Sequence, residues 1–401
     1  FVNHIDPVKI GFKPKILKTE GRPNFRLEVF LKLYLYGYLN GVRSSRRLEK
    51  ECFRNIEVQW LLEAIYPNYH SIADFRKDNP KALKQLFKLF VSFLKDAELI
   101  AGDTIAIDGT KSRAHNSKKA NYNQKKIDKH KAYIDAKSQE YLDQLEQNDI
   151  QENPVVIKNI QQKIEGLKQN KIKYELLEEE LKNSGEPQIS TTDADARALL
   201  VQGQVVEVSY NIQAAVDSKH NLVVATHTIN RNDKNALAAI ALEVKENLAL
   251  ETFTVLVDKG YHNGRELHTC KQNNITTIVA VPEQGKSNEN GTQPEYLVSK
   301  FIYNKENNSY TCPEGKTLTT TGRWHKKTGR TEESGYIFQK YRTPACKTCL
   351  VKDLCTSRNG GREIDRSQYA DAVEENHQRY KDNPQLYRKR QEINEHIFGT
   401  I

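Results

Sequence analysis

Residues 99–111 read LIAGDTIAIDGTK. Positions 104–107 are β-branched and apolar, which predicts a short buried strand, and Asp108 with Gly109 is the turn signal expected to end it. An acid at the tip of a central strand is held on a rigid element, a common way to place a metal-binding carboxylate. An isolated Asp-Gly is also simply a turn, so the reading needs a partner. Residues 252–257 supply one: a second short apolar strand, closed by Asp258, Lys259, Gly260 and Tyr261. If the two strands are neighbours, their carboxylates converge on one edge. With a third acid they would bind Mg²⁺ through oxygen and leave positions open for phosphate and water. That acid is expected from a helix over 384–396, with Asp382 as cap and Pro384 just inside. It offers Glu392 and Glu395, three apart and so on one face.

Between these strands, residues 205–216 (VVEVSYNIQAAV) and 222–229 (LVVATHTI) flank a polar turn at 217–220 and predict a hairpin. Helices are expected over 235–248 and 263–271, with a further strand over 276–281. Strands and helices alternating around one sheet give a mixed α/β class. Upstream, the apolar run at 25–39 predicts a buried helix, and Ser44 and Ser45 precede a second helix carrying Arg46, Arg47 and Leu48. A third helix is expected over 58–65 and a fourth from Ser71. Short helices with interspersed Arg read equally as a helix-turn-helix DNA reader or as a packing domain. From 120 to 183 an antiparallel helical hairpin is predicted. Ile134, Tyr141 and Leu145 face Ile157, Ile160, Ile164, Leu167, Tyr174 and Leu181 across a turn at 148–153.

The 401 residues carry 61 Lys+Arg against 52 Asp+Glu, a formal charge of +9, which fits a polyanionic partner. The stretch 111–131 concentrates it: Lys111, Arg113, Lys118, Lys119, Lys125, Lys126, Lys129 and Lys131 stand against one acid, Asp128. Such a run is a solvated face or, following directly on Asp108, a phosphate contact. No apolar stretch is long enough to span a membrane, and no apolar signal core opens the chain, so a cytoplasmic protein is expected. The absence of Met and the start at Phe1 read as a fragment. Cys312, Cys346, Cys349 and Cys355 suit tetrahedral Zn²⁺, with reduced unligated thiols as the alternative. Cys52 and Cys270 fall on predicted helices as small core residues. His227, His262 and His396 read as packed or solvated, and Asp193 and Asp195 as loop residues.

Several stretches together carry a family likeness. IDGT at 107–110, TDADAR at 192–197, YNIQAAVD at 210–217, VDKGY at 257–261 and RKRQEINEHIFGT at 388–400 resemble the transposases of bacterial insertion sequences of the DDE superfamily. The N-terminal run from Gly21, with SIADFR further on, resembles that family's amino-terminal domain. The resemblance implies a helical DNA-binding domain over 1–98 and a ribonuclease H-like mixed-sheet catalytic domain over 99–401. Into the latter a helical hairpin (111–186) and a small Cys-rich, zinc-ribbon-like segment (283–365) are inserted. It implies that Asp108, Asp258 and Glu395 hold two Mg²⁺ (or Mn²⁺) ions for DNA strand cleavage and strand transfer, and that the four cysteines hold a structural Zn²⁺. DNA contacts are expected from Arg46, Arg47, Lys111, Arg113, Lys118, Lys119 and Arg390. The partners implied are transposon ends and target DNA, met by a homodimer on the bacterial nucleoid. Tyr387 and Arg390 match a tyrosine and an arginine that precede the glutamate in the family. Arg390 lies one residue further from Glu395 than the strict pattern, which keeps Glu392 open as third acid. Ile397 replaces a frequent proline, and the basic residue expected beyond the glutamate would fall past Ile401. Two other functions stay open: a DNA-binding remnant without catalysis, and a nuclease that cuts but never joins.

Overall fold

The computed structural model describes residues 1–13, 25–114, 118–149, 154–201, 205–282, 292–329 and 335–400. The middle of the turn expected at 148–153 and the start of the Cys-rich segment at 283 lie outside the described residues. Phe1–Ala101 with Asn247–Ala249 form one unit, and Gly102–Glu246 with Leu250–Ile401 form the other.

The first unit is helical: α1 (Leu27–Leu39), α2 (Ser45–Arg54), α3 (Ile56–Leu61), α4 (Tyr69–Asp78) and α5 (Pro80–Asp96). The rings of Phe12 and Phe30 stack on Phe75 at 5.5 and 4.8 Å, filling its core. α1 is not buried all round, as its composition predicts. It turns Val29, Phe30, Leu31, Leu33 and Tyr34 inward and leaves Leu39 86% exposed. α3 begins and ends earlier than expected. The Asn55 side chain accepts from the backbone N–H groups of Glu57 and Val58, capping the start. Glu63 and Ala64 take positive φ, and Ala64 N donates back to Gln59 O at 2.8 Å, closing the end. α5, not expected from the sequence, has Pro80 in its first turn.

The second unit opens with β1 (Thr104–Arg113), β2 (Asn121–Tyr122), the hairpin helices α6 (Gln124–Asp149) and α7 (Pro154–Ser184), and β3 (Ile189–Ser190). It continues through β4 (Arg197–Val201), β5 (Val205–Asp217), β6 (Val223–Ile229), α8 (Leu237–Leu248), β7 (Phe253–Val257), α9 (Gly264–Gln272) and β8 (Ile275–Val279). The main sheet runs β4-β5-β1-β7-β8, with β6 also on β5. β1 is antiparallel to β5 and parallel to β7, and β7 is parallel to β8. β7 lies between β1 and β8 and is a nearly continuous apolar run, as a parallel strand covered on both faces should be.

One expectation fails here in an informative way. β1 does not stop at Asp108 and Gly109; it runs on to Arg113, pairing Gly109 with Gln213 and Arg113 with Ser209. β5 is long enough to keep the ladder going, and this outweighs the local turn preference. Glycine is required for closeness instead: a Cβ at Gly109 would stand 2.3 Å from Gln213 Nε2.

A second, five-stranded antiparallel sheet follows: β9 (Ile302–Asn304), β10 (Ser309–Thr311), β11 (Thr317–Lys327), β12 (Tyr336–Arg342) and, after the short α10 (Lys352–Cys355), β13 (Ile364–Ser367). The chain ends in α11 (Ala370–Asp382) and α12 (Pro384–Thr400). Asp382 closes α11 instead of capping α12. α11 shields the exposed edge of β8: buried Asn376 accepts from Val279 N at 2.9 Å and donates to Val279 O at 3.0 Å, as a further strand would. α12 lays Ile393 against Ala106, Val216, Leu256 and Ile278. This brings the last helix onto the strands that carry both candidate aspartates.

Candidate active site

β1 and β7 pair as parallel neighbours at a constant offset, Thr104 with Thr254 through Ala106 with Leu256. Two residues further along the same offset come Asp108 and Asp258. Asp108 lies within β1 and Asp258 directly follows β7, so the extended offset sets them side by side, where strands are about 4.8 Å apart. Each carboxylate has one oxygen fixed by a nearby glycine: Gly109 N donates to Asp108 Oδ1 at 2.8 Å, and Gly260 N to Asp258 Oδ1 at 2.8 Å. Arg390, from α12, brings Nη1 to 3.0 Å from Asp108 Oδ2. Burial pushes the Asp108 carboxyl above its usual range, against the Gly109 hydrogen bond and the Arg390 charge, and Asp258 and Asp233 push it further the same way. A site that disfavours its own anionic form is one that a cation would relieve.

Asp233, which no sequence motif singles out, also acts on Asp108. It follows β6, and its Oδ1 accepts from Asn211 Nδ2 at 2.8 Å and Gln213 Nε2 at 2.9 Å, while Lys111 Nζ lies 3.1 Å from Oδ2. Burial raises its carboxyl, but these three donors outweigh burial and hold it below the usual range. The Tyr261 hydroxyl donates to Gln213 Oε1. Tyr261 is fully buried, and burial together with Asp233, Asp108 and Asp258 holds its phenol well above the ordinary value. A signal existed: Asn211 and Gln213 alternate on one face of β5 and are both fully buried, which demands polar partners.

Neither glutamate of α12 faces the sheet. Glu392 and Glu395 are both exposed, whereas Arg390, Ile393, Asn394 and Ile397 form the covered face. At 3.6 residues per turn, Glu395 lies about 140° round the helix from Arg390. Asn394, one turn after Arg390, is 3% exposed, and neither of its amide atoms has a hydrogen-bond partner among the described residues. The Tyr387 ring packs edge-on to Tyr380 at 4.9 Å, with Arg390 5.8 Å above it.

The basic stretch after Asp108 divides in two. Lys111 is committed to Asp233, Arg113 to Glu207, and Lys131 to Glu178 at 2.9 Å. Lys126 donates to the carbonyls of Lys118, Lys119 and Asn121 and lies 4.4 Å over the Tyr122 ring. Lys118 and Lys119 are exposed. In the first unit Arg47 is exposed, and Arg46 sits 5.1 Å over Tyr69. Among the histidines, His227 Nδ1 lies 3.6 Å from Glu243 Oε2, and burial holds His262 below its ordinary value; nothing is described of the His396 side chain. Asp193 accepts from the Tyr210 hydroxyl at 2.6 Å in the loop before β4.

Cys312, Cys346, Cys349 and Cys355 line one small cavity at the end of the second sheet. Lys316 N donates to Cys312 Sγ at 3.3 Å. Burial pushes the Cys355 thiol up, and the other three sulfurs act the same way against Arg362. The sulfurs surround the cavity without being drawn to ligand distance. Among the described residues no group of three or more His, Cys, Asp or Glu is so drawn. Cys52 and Cys270 are buried, as expected.

Two family models match the chain: "Transposase domain (DUF772)" over residues 5–78 and "Transposase DDE domain" over residues 311–401. The second takes in the four cysteines and all of α12 but not Asp108 or Asp258. Searches of curated proteins and of solved structures found no match. No helix among the described residues is long and apolar enough to cross a membrane.

Proposed function

We propose, from the premise that this chain belongs to the DDE transposases, that it cleaves and joins DNA strands at Asp108 and Asp258. The observation that carries this reading is that Asp108 lies on β1 and Asp258 just past the end of the adjacent parallel β7, with Arg390 beside the first. A long strand (β5) antiparallel to β1, followed by parallel β7 and β8, supports a ribonuclease H-like core. The donor set fits a hard divalent cation: two carboxylates, one oxygen of each already oriented by a backbone N–H, and the buried unpartnered amide of Asn394 on the helix above. Glu395 is proposed as the third acid, with Glu392 its competitor, on family likeness alone and against the packing of α12, which leaves both exposed.

Divalent ions bound there would activate water or a 3′-hydroxyl and stabilise the leaving oxygen of an in-line displacement. The chain's own part is positioning. Gly109 and Gly260 aim the two carboxylates, and the Arg390 charge favours the anionic form of Asp108 against its burial. The exposed Lys118 and Lys119 are proposed to meet the DNA backbone, with Arg46 and Arg47 on α2 contacting transposon ends. Joining two ends calls for two copies, so a homodimer on DNA is part of the reading. The cysteine set fits a structural Zn²⁺ by its donor chemistry and its knuckle-like N–H to sulfur bond.

The test is Asp108→Asn assayed with Mg²⁺ on a DNA carrying the element's own ends. Cleavage should disappear while end binding persists; cleavage that survives rejects the assignment. A 3′-hydroxyl donor strand then separates transposase from nuclease, since only the former joins it to target.

A further inference from the structure

We infer that Asp233 is a positioning residue, the hub of a buried polar brace that sets the spacing between Asp108 and Asp258. This rests on reading those two aspartates as the metal pair. The brace runs from Lys111 on β1 through Asp233 to Gln213 on β5, and from Gln213 to the hydroxyl of Tyr261, three residues after Asp258. Lys111 follows Asp108 by three residues on the same strand, so each end of the brace is fastened beside one aspartate.

The close fit around the carboxylate points the same way. A Cβ on Gly109 would stand 2.8 Å from Asp233 Oδ1, and one on Gly260 would stand 3.7 Å from Asp233 Oδ2. Asp233 therefore lies against the backbone just past both aspartates: glycine at 109 leaves it room, and at 260 it stands at ordinary contact distance. Asn211, fully buried, adds a second donor to Oδ1 and also donates to Arg231 O at 2.9 Å, which anchors the loop carrying Asp233 to β5.

Asp233 is not read as a metal ligand itself. Its Oδ1 already accepts two hydrogen bonds, and its Oδ2 faces the Lys111 ammonium, a cation that would repel another. Its effect is exerted through neighbours, as supporting partners orient the residues that touch a metal.

The experiment measures Mn²⁺ binding to the full chain by electron paramagnetic resonance, alongside the Mg²⁺ dependence of DNA cleavage. Asp233→Asn should weaken Mn²⁺ binding and raise the half-saturating Mg²⁺ concentration by about 10-fold or more, with cleavage largely recovered at high metal. Tyr261→Phe, which removes one hydroxyl from the far end of the brace and barely disturbs packing, should shift both in the same direction by a smaller factor. Recovery at high metal distinguishes positioning from a general loss of structure. If Asp108→Asn abolishes Mn²⁺ binding while Asp233→Asn and Tyr261→Phe bind it as the unaltered chain does, the brace is rejected alone. If Asp108→Asn leaves Mn²⁺ binding intact, the metal pair itself is rejected and the brace with it.

Discussion

The Arg390 guanidinium stands 3.0 Å from Asp108 Oδ2 and ties the last helix of the chain to its first strand. Arg390 is largely buried, and its Nε has no partner of its own among the described residues. Arg390→Ala would leave Asp108 facing Asp258 and Asp233 without a cation. A loss of about 1.5–3 kcal/mol in urea unfolding is expected for a hydrogen bond to a charged group. Arg390→Lys should recover part of it, since the charge returns without the planar fork.

Gly109→Ala should be poorly tolerated for reasons unrelated to turn geometry. The new methyl meets Gln213 Nε2, Asn211 Oδ1 and Asp233 Oδ1 at once. Overpacking of this kind costs about 1–3 kcal/mol, and thermal melting of the variant measures it. The control is Gly166→Ala on exposed α7, where a Cβ meets nothing within 4 Å; there helix propensity predicts a gain of up to ~1 kcal/mol.

Asn376→Ala would strip the cover from the edge of β8, leaving Val279 N and O buried without partners. Each orphaned group costs about 1–3 kcal/mol. Hydrogen exchange should show the Val279 amide losing protection first, before the centre of the sheet.

Glu363, before β13, carries the clearest pH signature. Burial raises its carboxyl, but hydrogen bonds from Lys340 and Arg358 and the charge of Arg342 overcome this and hold it at about 2. A carboxyl depressed in the folded state adds stability above its unfolded value, here 4.5, and that stability is lost as pH falls through about 2. Glu363→Gln should lower stability at neutral pH and flatten the acid unfolding curve between about 4.5 and about 2, as followed by circular dichroism.

The cysteine cavity predicts one zinc per chain by elemental analysis. A chelator should lower the melting temperature, and Cys346→Ser or Cys349→Ser should abolish the metal signal. A chain that melts identically with and without chelator would leave the thiols as ordinary reduced cysteines.

What the sequence made legible follows from how far each signal reaches. The strands at 104–107 and 252–257, the polar turn after Asp217 and the two arms of the hairpin all declare themselves within a dozen residues, through β-branching, turn chemistry or helical period. The end of β1 was misread because Asp-Gly is a turn only when nothing else claims its hydrogen bonds, and here β5 claims them from 100 residues away. Asp233 was missed for a similar reason: its role depends on Lys111, Asn211, Gln213 and Tyr261, scattered over 150 positions. Arg390 was placed by likeness alone; its pairing with Asp108 spans 282 residues. The facing of α12 was decided by Ile393 and Asn394 seeking the sheet, which turns the glutamates outward. No local pattern foretells that.

The long hairpin has a bearing on how such a chain can change. Its two helices depart and return side by side, because Asn121 pairs with Ser190 and Tyr122 with Ile189 at its base, and Lys126 fastens the entry with three carbonyl bonds. The arm is thus a closed excursion with a fixed doorway. Matched turns can be added to or trimmed from both helices without altering where the chain re-enters the sheet, so its length is free to drift, or to be engineered, independently of the aspartates.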